Sequence, residues 1–297
     1  MGTSPRDSVP AWLDRAGYPF TSRFAELPRG RLHYVDEGRG EPVLFVHGTP
    51  TWSYEWRHLI RELAPRWRCI APDLLGFGLS DRPREFAYTP EAHAALLAAF
   101  TERLGLEAFT LVVHDFGGPI ALPLVLDQPE RIHRLVLLNT WMWPLDADPA
   151  LRRKGGLAAS PLGRLLYRRC NASLRLIMPH AYGDRRKLTP AIHRQYLAPF
   201  PSADDRERVL WTLARALLGS SAYYAALWQR RAALRGRPVL VVWGMRDPAF
   251  GPPALARWEE VFGPGAHVLR LPEAGHWPHE EAPEAVGQEL RAFLTAT

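Results

Sequence analysis

Short, continuously apolar segments alternate with amphipathic segments along most of this chain, and this alternation restricts the possible folds more than any other feature. Apolar runs between turn residues are typical of strands buried on both faces of a parallel sheet. The intervening segments place apolar residues at helical spacing, as Trp56, Ile60 and Leu63 illustrate. We therefore predict an α/β protein with a mostly parallel sheet covered by helices on both faces. The predicted strands are 30–36, 42–46, 68–74, 111–114, 134–139, 238–243 and 267–271.

The alternation stops after Asn139 and resumes at Pro238. The segment between them contains helical patterns and no predicted strand, whereas the segment after it continues with strands and helices of the earlier kind. We predict that residues 1–140 and 236–297 form one α/β core and that residues 141–235 form a helical insertion. The clearest helices predicted within the insertion are 162–167, 188–196 and 209–228.

Composition indicates an ordinary globular protein. Of the 297 residues, 47% are hydrophobic and 23% are charged, and no apolar run approaches the roughly 18 residues of a membrane-spanning helix. The segment Met1–Asp7 lacks the apolar core of a signal peptide, so we expect a cytoplasmic protein without membrane insertion. The two cysteines, Cys69 and Cys170, are predicted to be buried thiols and not a disulfide.

Positive charge is concentrated in the middle of the chain. The net charge is +6, but Trp141 to Arg237 contains 18 Arg and Lys residues against 6 Asp and Glu residues. Such a segment can attract anions, although scattered arginines on amphipathic helices more often form a solvated face. No nucleic-acid-binding motif accompanies the charge, and we predict no nucleic-acid partner.

The segment Leu111–Pro119 predicts a strand, a sharp turn and a helix. Asp115 lies on the turn, and the small residues Gly117 and Gly118 allow the helix to pack closely against the strand. A carboxylate on such a turn is ionised at neutral pH and can attack an sp3 carbon without a base. The alternative is that Asp115 only caps the helix that follows.

Two further acid or base residues follow predicted strands. Asp247 comes after strand 238–243, and His276 comes after strand 267–271. Taken singly, Asp247 could be a turn residue before Pro248, and His276 could be a surface-loop histidine. Together with Asp115, however, they follow the order of nucleophile, acid and base along the chain, at the strand ends where α/β sheets form reaction sites.

The loop His47–Pro50 follows the strand predicted to lie beside Asp115. Stabilising an oxyanion requires two backbone N–H groups, commonly one from such a loop and one from the residue after the nucleophile. The expected donors are the amides of Thr49 and Phe116. His47 is predicted to have a structural role because it directly precedes a glycine turn.

In these motifs the chain resembles the haloalkane dehalogenases, a family of α/β-hydrolases with an aspartate nucleophile. The resemblance implies that Asp115 displaces a leaving group to form an alkyl ester, and that His276, oriented by Asp247, activates water to hydrolyse it. It implies a small apolar organic substrate, no cofactor or metal, and an insertion that caps the substrate pocket. In some members the acid that orients the histidine follows the sixth strand. This chain has Asn139 there, without a carboxylate, which favours Asp247 as the orienting acid. The matching segments are His47–Pro50, Pro72–Ser80, His114–Pro119, Asn139–Trp141 and Gly275–His276.

The residues that hold the leaving group differ from the family pattern. Dehalogenases typically place Trp directly after the nucleophile and a second donor, often Asn, elsewhere; this chain has Phe116 and Thr49 at these positions. Trp141 or Trp143, at the start of the insertion, could supply a replacement N–H donor, although such residues more commonly pack in an apolar core.

Related enzymes apply the same three catalytic residues to epoxides or β-lactones, and a binding protein without turnover is a further alternative. Epoxide hydrolases usually protonate the epoxide with two cap tyrosines, whereas most tyrosines in a helical insertion have packing roles. The sequence does not indicate the natural substrate or the oligomeric state. The tyrosines of the insertion are Tyr167, Tyr182, Tyr196, Tyr223 and Tyr224.

Overall fold

The computed structural model describes residues 10–296, so the segment Met1–Asp7 lies outside it. Its centre is an eight-stranded sheet with the strand order β1-β2-β4-β3-β5-β6-β7-β8. The first two strands pair antiparallel with their neighbours, and every pairing from β4 to β8 is parallel. The strands are β1 (Arg23–Leu27), β2 (Gly30–Glu37), β3 (Pro42–Val46), β4 (Arg68–Pro72), β5 (Phe109–Asp115), β6 (Ile132–Thr140), β7 (Val239–Gly244) and β8 (His267–Leu271).

The central strands are buried almost throughout, as their continuous apolar sequences predict. Every residue of β5 and β7 is buried. The predicted set of strands is therefore observed, with β1 added at the antiparallel edge of the sheet. β1 was not predicted because its sequence, RFAEL, is short and mixes charged and apolar residues, and only one of its five residues is buried.

Helices cover the sheet, and helices joined by loops form the segment between β6 and β7. One helix begins at Pro90, and the side chain of the preceding Thr89 caps it by accepting a hydrogen bond from the Ala92 amide. The α-helices are α1 (Arg57–Leu63), α2 (Pro90–Arg103), α3 (Gly117–Asp127), α4 (Pro149–Ala159), α5 (Pro161–Cys170), α6 (Met178–Ala181), α7 (Pro190–Leu197), α8 (Ala203–Asp205), α9 (Thr212–Gly219), α10 (Ser221–Gln229), α11 (Pro252–Phe262), α12 (Pro278–Glu281) and α13 (Pro283–Thr295).

The segment between β6 and β7 contains α4 to α10 and no strand among its residues, all of which are described. The helix predicted over 209–228 is wrong as a single unit: a π-helical segment, Arg206–Trp211, leads into α9, and Ser220 separates α9 from α10. α4 was not predicted because two glycines and a run of basic residues hide its periodicity, and only Gly155 of this helix is buried.

Both cysteines are free, but only one matches its predicted environment. Cys69 is buried, as predicted for a residue of β4, whereas Cys170 is exposed, so the prediction of a buried thiol is wrong there. Cys170 is the last residue of α5, a helix that buries only Gly163 and Tyr167. Within residues 10–296, no helix is both long and apolar enough to cross a membrane.

Candidate active site

Asp115 lies at the turn between β5 and α3 and has a left-handed backbone conformation, with φ of 50°. This conformation is uncommon for residues other than glycine, although Asp tolerates it better than most. The turn is tight, because a Cβ atom at Gly117 would clash with the carbonyl oxygen of Val46 on β3. The helix-cap interpretation is wrong: the N-cap residue of α3 is Phe116, and no side chain caps the helix. The Asp115 carboxylate is left free for other contacts.

One of these contacts is with the loop after β3. The Thr49 amide donates a hydrogen bond of 2.8 Å to Asp115 Oδ1. A side chain at Gly48 would overlap the Asp115 carboxylate, so glycine is required for this approach. The loop therefore directs the backbone N–H of Thr49 at the carboxylate.

His47 supports this loop from the interior. Its Nδ1 donates to the Gly48 carbonyl at 2.7 Å, and its Nε2 accepts from the Leu74 amide at 2.9 Å. Burial is the main reason that the pKa of His47 is lowered, which favours the neutral ring that this pattern requires. Because both ring nitrogens are engaged by backbone groups, His47 has the structural role predicted for it.

The structure brings the three predicted acid and base residues together. His276 Nδ1 lies 2.7 Å from Asp247 Oδ2, and His276 Nε2 lies 3.4 Å from Asp115 Oδ2. Asp115 is 5% exposed, and Asp247 and His276 are each 6% exposed, so the surface-loop interpretation of His276 is wrong. Asp247 also makes the turn contact considered for it, because its Oδ1 accepts from the Ala249 amide at 2.7 Å.

The two aspartates favour the charged form of the histidine between them. Burial by itself lowers the pKa of His276, but the charges of Asp247 and Asp115 and the hydrogen bond with Asp247 outweigh it and raise the pKa to about 10. Burial likewise opposes ionisation of Asp247, yet the charge and hydrogen bond of His276 keep the pKa of this carboxyl below its usual range. The arrangement can therefore hold an imidazolium between two carboxylates.

Asn139, at the end of β6, holds Asp247 in place. Its Nδ2 donates to Asp247 Oδ2 at 2.9 Å and to the Gly244 carbonyl at 3.1 Å, while its Oδ1 accepts from the Gly244 amide at 2.8 Å. From the sequence alone, Asn139 is a position that lacks a carboxylate, and its contact with Asp247 is not predicted. The sequence signal for this contact was the position of Asn139 at the end of β6. This strand lies beside β7, and Asp247 follows β7 in the chain.

An aromatic wall borders the three residues. Trp141 packs edge-to-face against Phe116 with centroids 4.8 Å apart and stacks on Phe250 at 4.7 Å, and Phe250 lies 6.0 Å from the His276 ring. Trp141 is fully buried, and its Nε1 has no hydrogen-bond partner among the described residues. The buried hydroxyl oxygen of Thr49 likewise has none within residues 10–296. One residue that contacts Asp115 and one that contacts Phe116 thus each have a buried polar atom without a hydrogen-bond partner among the described residues.

Trp143, the second tryptophan considered as a donor, packs elsewhere. Its ring lies edge-to-face against Trp228 at 5.1 Å and Trp258 at 5.2 Å, and the Arg257 guanidinium sits over it. These contacts give Trp143 a packing role between the insertion and α11.

The tyrosines of the insertion differ in how their hydroxyls are used. Burial raises the pKa of Tyr167 to about 12, and Tyr182 stacks on Trp277 with a buried hydroxyl that has no partner among residues 10–296. Three of the five tyrosines donate to protein oxygen atoms, which agrees with the predicted packing roles: Tyr196, Tyr223 and Tyr224.

Comparison with known proteins agrees with this architecture. A family model described as the alpha/beta hydrolase fold matches residues 41–283. The chain belongs to the α/β-hydrolase family. The predicted fold class is therefore confirmed, including the mostly parallel sheet.

The relatives narrow the enzyme class. The chain is 36% identical to haloalkane dehalogenase 2 of Mycobacterium tuberculosis over 274 residues, which cover 92% of this chain and 94% of the relative. It is 34% identical to the cis-3-alkyl-4-alkyloxetan-2-one decarboxylase of Shewanella oneidensis, with 94% and 90% covered. The crystal structure of the haloalkane dehalogenase DatA from Agrobacterium tumefaciens superposes with a TM-score of 0.83 at 26% identity, with 95% and 99% covered. The protein is a haloalkane-dehalogenase-like hydrolase, as predicted.

Proposed function

We propose that this enzyme hydrolyses the carbon–halogen bond of small apolar haloalkanes through a covalent alkyl ester on Asp115. The observation that carries this proposal is the contact between His276 and two carboxylates, one of which lies on the strained turn after β5. A serine hydrolase places a hydroxyl on this turn and needs the histidine to deprotonate it. Here the carboxylate is already a nucleophile, so the histidine is free to act on water.

In the first step, a carboxylate oxygen of Asp115 attacks the halogen-bearing carbon. The new carbon–oxygen bond forms as the carbon–halogen bond breaks, and the halide leaves with the bonding electron pair. The buried surroundings of Asp115 exclude most water, which strengthens the electrostatic contacts of the reacting groups. This step requires no proton transfer.

In the second step, His276 activates a water molecule. Esterification removes the negative charge of Asp115, which is one of the causes of the raised pKa of His276, so the ester favours the neutral imidazole. Neutral His276 takes a proton from water, and the water oxygen attacks the ester carbonyl carbon. The Thr49 amide, joined by that of Phe116, stabilises the oxyanion. As the oxyanion collapses, the alkoxide leaves and takes a proton from His276 to become the alcohol, and the Asp115 carboxyl loses its remaining proton to solvent to restore the carboxylate.

The helical insertion is proposed to cover the substrate pocket. The backbone amide of His276 donates to the Ala181 carbonyl of the insertion at 2.8 Å, and Trp141 forms part of the aromatic wall beside Phe116. The substrate side of the site would therefore be bordered by apolar side chains, which suits a small apolar molecule.

Trp141 is proposed to hold the departing halide through its Nε1–H group. The supporting observation is that this buried donor has no partner in the described part of the chain, although buried polar groups are rarely left unsatisfied. Phe116 has no such donor, whereas its ring contacts Trp141 directly. The Thr49 hydroxyl is a second donor available close to the carboxylate.

Replacing this donor is expected to slow the first step. Trp141→Phe keeps an aromatic ring against Phe250 but removes the N–H, so kcat/KM for a bromoalkane should fall by about 10²-fold, as for the loss of one transition-state donor. Initial-rate measurements of bromide release test this. The control is Trp143→Phe, which alters a tryptophan at the start of the same insertion; equal losses in both variants would contradict the role of Trp141.

A β-lactone is the second candidate substrate, and the 34% identity to an oxetanone decarboxylase favours it. Asp115 would attack the sp3 ring carbon that carries the ring oxygen. The bond between that carbon and the ring oxygen breaks, which gives an alkyl ester on Asp115 and a free carboxylate on the substrate. Loss of CO2 would then expel the Asp115 carboxylate and form an alkene. This reaction consumes no water, so it would place no oxygen from water in the Asp115 carboxylate, whereas dehalogenation would.

A single turnover in 18O-labelled water tests the proposal and separates these reactions. With enzyme in excess over a bromoalkane, we expect the label in the Asp115 carboxylate, detected by peptide mass spectrometry, and unlabelled oxygen in the alcohol. Label found only in the alcohol would contradict the covalent mechanism. A panel of bromoalkanes, aryl epoxides and β-lactones completes the test: alkene and CO2 would indicate the lactone reaction, and no turnover of any substrate would indicate a binding protein.

A further inference from the structure

A second cluster of titratable side chains lies behind the three residues of the active site. It consists of Glu55 in the 3-10 turn after β3, His114 in β5 and His279 in α12, and all three are 0% exposed. The mechanism proposed above uses none of them. We propose that Glu55, His114 and His279 bind one divalent transition-metal ion, with zinc the best match to a carboxylate and two imidazoles.

The charge of Glu55 requires a positive partner. A buried carboxylate is strongly unfavourable without one. The neighbouring Arg57 does not serve this purpose, because it forms a bidentate ion pair with Glu280, with one contact at 2.8 Å. Within residues 10–296, Glu55 has ion-pair contacts only with His114 and His279, and neither of its carboxylate oxygens has a hydrogen bond.

The distances suit ligands of one ion better than hydrogen bonds. His114 Nδ1 lies 3.4 Å from Glu55 Oε1, and His279 Nε2 lies 3.8 Å from Glu55 Oε2. Hydrogen bonds between such groups are usually about 2.7–3.2 Å long. Zinc bonds of about 2.0–2.1 Å place neighbouring ligand atoms of a tetrahedron about 3.3 Å apart. One ligand atom from each residue lies within 4.8 Å of the others, so small side-chain rotations would bring all three onto one ion.

The orientation of His114 supplies independent support. Its Nε2 lies 2.8 Å from the backbone carbonyl of His276, which can only accept, so Nε2 carries the proton. Nδ1 is then the ring nitrogen that faces the Glu55 carboxylate, 3.4 Å from Oε1, and it is the atom that would coordinate an ion. Metal-binding histidines commonly donate their second N–H to a backbone carbonyl in this way.

His279 is also available as a ligand. Its ring stacks on Trp56, with centroids 4.6 Å apart and an interplanar angle of 21°, and it packs edge-to-face against His114 at 4.8 Å. Neither of its ring nitrogens has a hydrogen-bond partner in the part of the chain that the structure describes. The ring is therefore fixed by packing while its nitrogens remain free to coordinate.

The ion would link three segments that carry the active site. Glu55 follows the loop with Thr49, His114 directly precedes Asp115, and His279 lies three residues after His276. An ion here would touch no substrate, so its function would be structural: it would hold these segments together from the interior. The site is therefore compatible with a reaction that uses no metal.

The test begins with the wild-type full chain, purified without a polyhistidine tag. After growth with added zinc and gel filtration, elemental analysis is expected to find about one zinc per chain, as for a single site with three protein ligands. The chelator-treated protein should have a lower melting temperature, and Co2+ added to it should restore that temperature and give visible d–d absorption. Two-bond 1H–15N spectra should assign the bound nitrogens to His114 and His279.

Variants test the location of the ion. His279→Gln and Glu55→Gln should each reduce bound zinc at least tenfold. His267→Gln is the matched control, because it removes a histidine 2.7 Å from a glutamate at the surface, and it should keep full zinc content. If either site variant fails to fold, the wild-type histidine spectra still decide the question.

Three results would overturn the proposal. One is wild-type protein that holds less than about a tenth of a zinc per chain and gains neither Co2+ absorption nor thermal stability. Another is full zinc content in both site variants. The third is histidine spectra in which added metal leaves His114 and His279 unchanged.

Discussion

His276→Gln is expected to stop the reaction after the first chemical step, with the alkyl group still bound to Asp115. Glutamine is similar in size and can donate to Asp247, but it cannot accept a proton from water. Attack by Asp115 needs no base, so it should continue, whereas hydrolysis of the ester should slow by about 10²–10⁴-fold, the usual contribution of a general base. The halide should therefore appear as a burst of one equivalent per chain.

Intact-protein mass spectrometry after mixing with a bromoalkane should show one added alkyl group, and peptide mapping should place it on Asp115. The matched control is His133→Gln, which changes an exposed histidine of β6 and should turn over normally without an adduct. An adduct on a different carboxylate would refute the assignment of the nucleophile. Undiminished steady-state turnover in His276→Gln would refute the assignment of the base.

The grouping of these acid and base residues could be predicted from the sequence because the ends of strands can be located from apolar periodicity. β5 and β7 are buried and largely apolar, and β8 is a short strand with three apolar residues of five. Each leads into a turn, and parallel strands bring their carboxyl ends to one edge of the sheet. Asp115, Asp247 and His276 could therefore be placed together before any distance was known. The edge strand β1 was missed because a short strand with one buried residue carries little of this periodicity.

Contacts between distant side chains were less predictable. Nothing in the sequence shows that Asn139 donates to Asp247. Nor does it show that the Trp141 indole N–H has no hydrogen-bond partner within residues 10–296 while Trp143 packs against two other tryptophans. Glu55 and His279 lie more than two hundred positions apart, and no spacing motif connects them. Contacts of this kind depend on how the helices pack against the sheet and not on local sequence patterns. They can therefore be identified only from the complete fold.

Asp115→Ala is expected to abolish the reaction at the first step. The variant has no carboxylate to attack carbon, and water in its place would have to displace the halide directly without a covalent intermediate. By analogy with other enzymes that lose their nucleophile, kcat should fall by at least about 10⁴-fold. No alkyl adduct should form, even when His276→Gln is combined with it. This separates the nucleophile from the base, since His276→Gln alone should accumulate the adduct.

The matched control is Asp127→Ala, which removes an exposed carboxylate at the end of α3 that pairs with Arg230 at 2.7 Å. Bromide release and thermal melts of both variants are compared. Asp115→Ala removes the acceptor of the Thr49 amide, so a modest change in melting temperature is expected, but the variant should remain folded. If folded Asp115→Ala keeps normal turnover, Asp115 is not the nucleophile. If Asp127→Ala loses activity equally, the loss does not depend on the carboxylate at the turn after β5. Only selective loss at Asp115, together with the adduct trapped in His276→Gln, assigns attack to this carboxylate and hydrolysis to the histidine beside it.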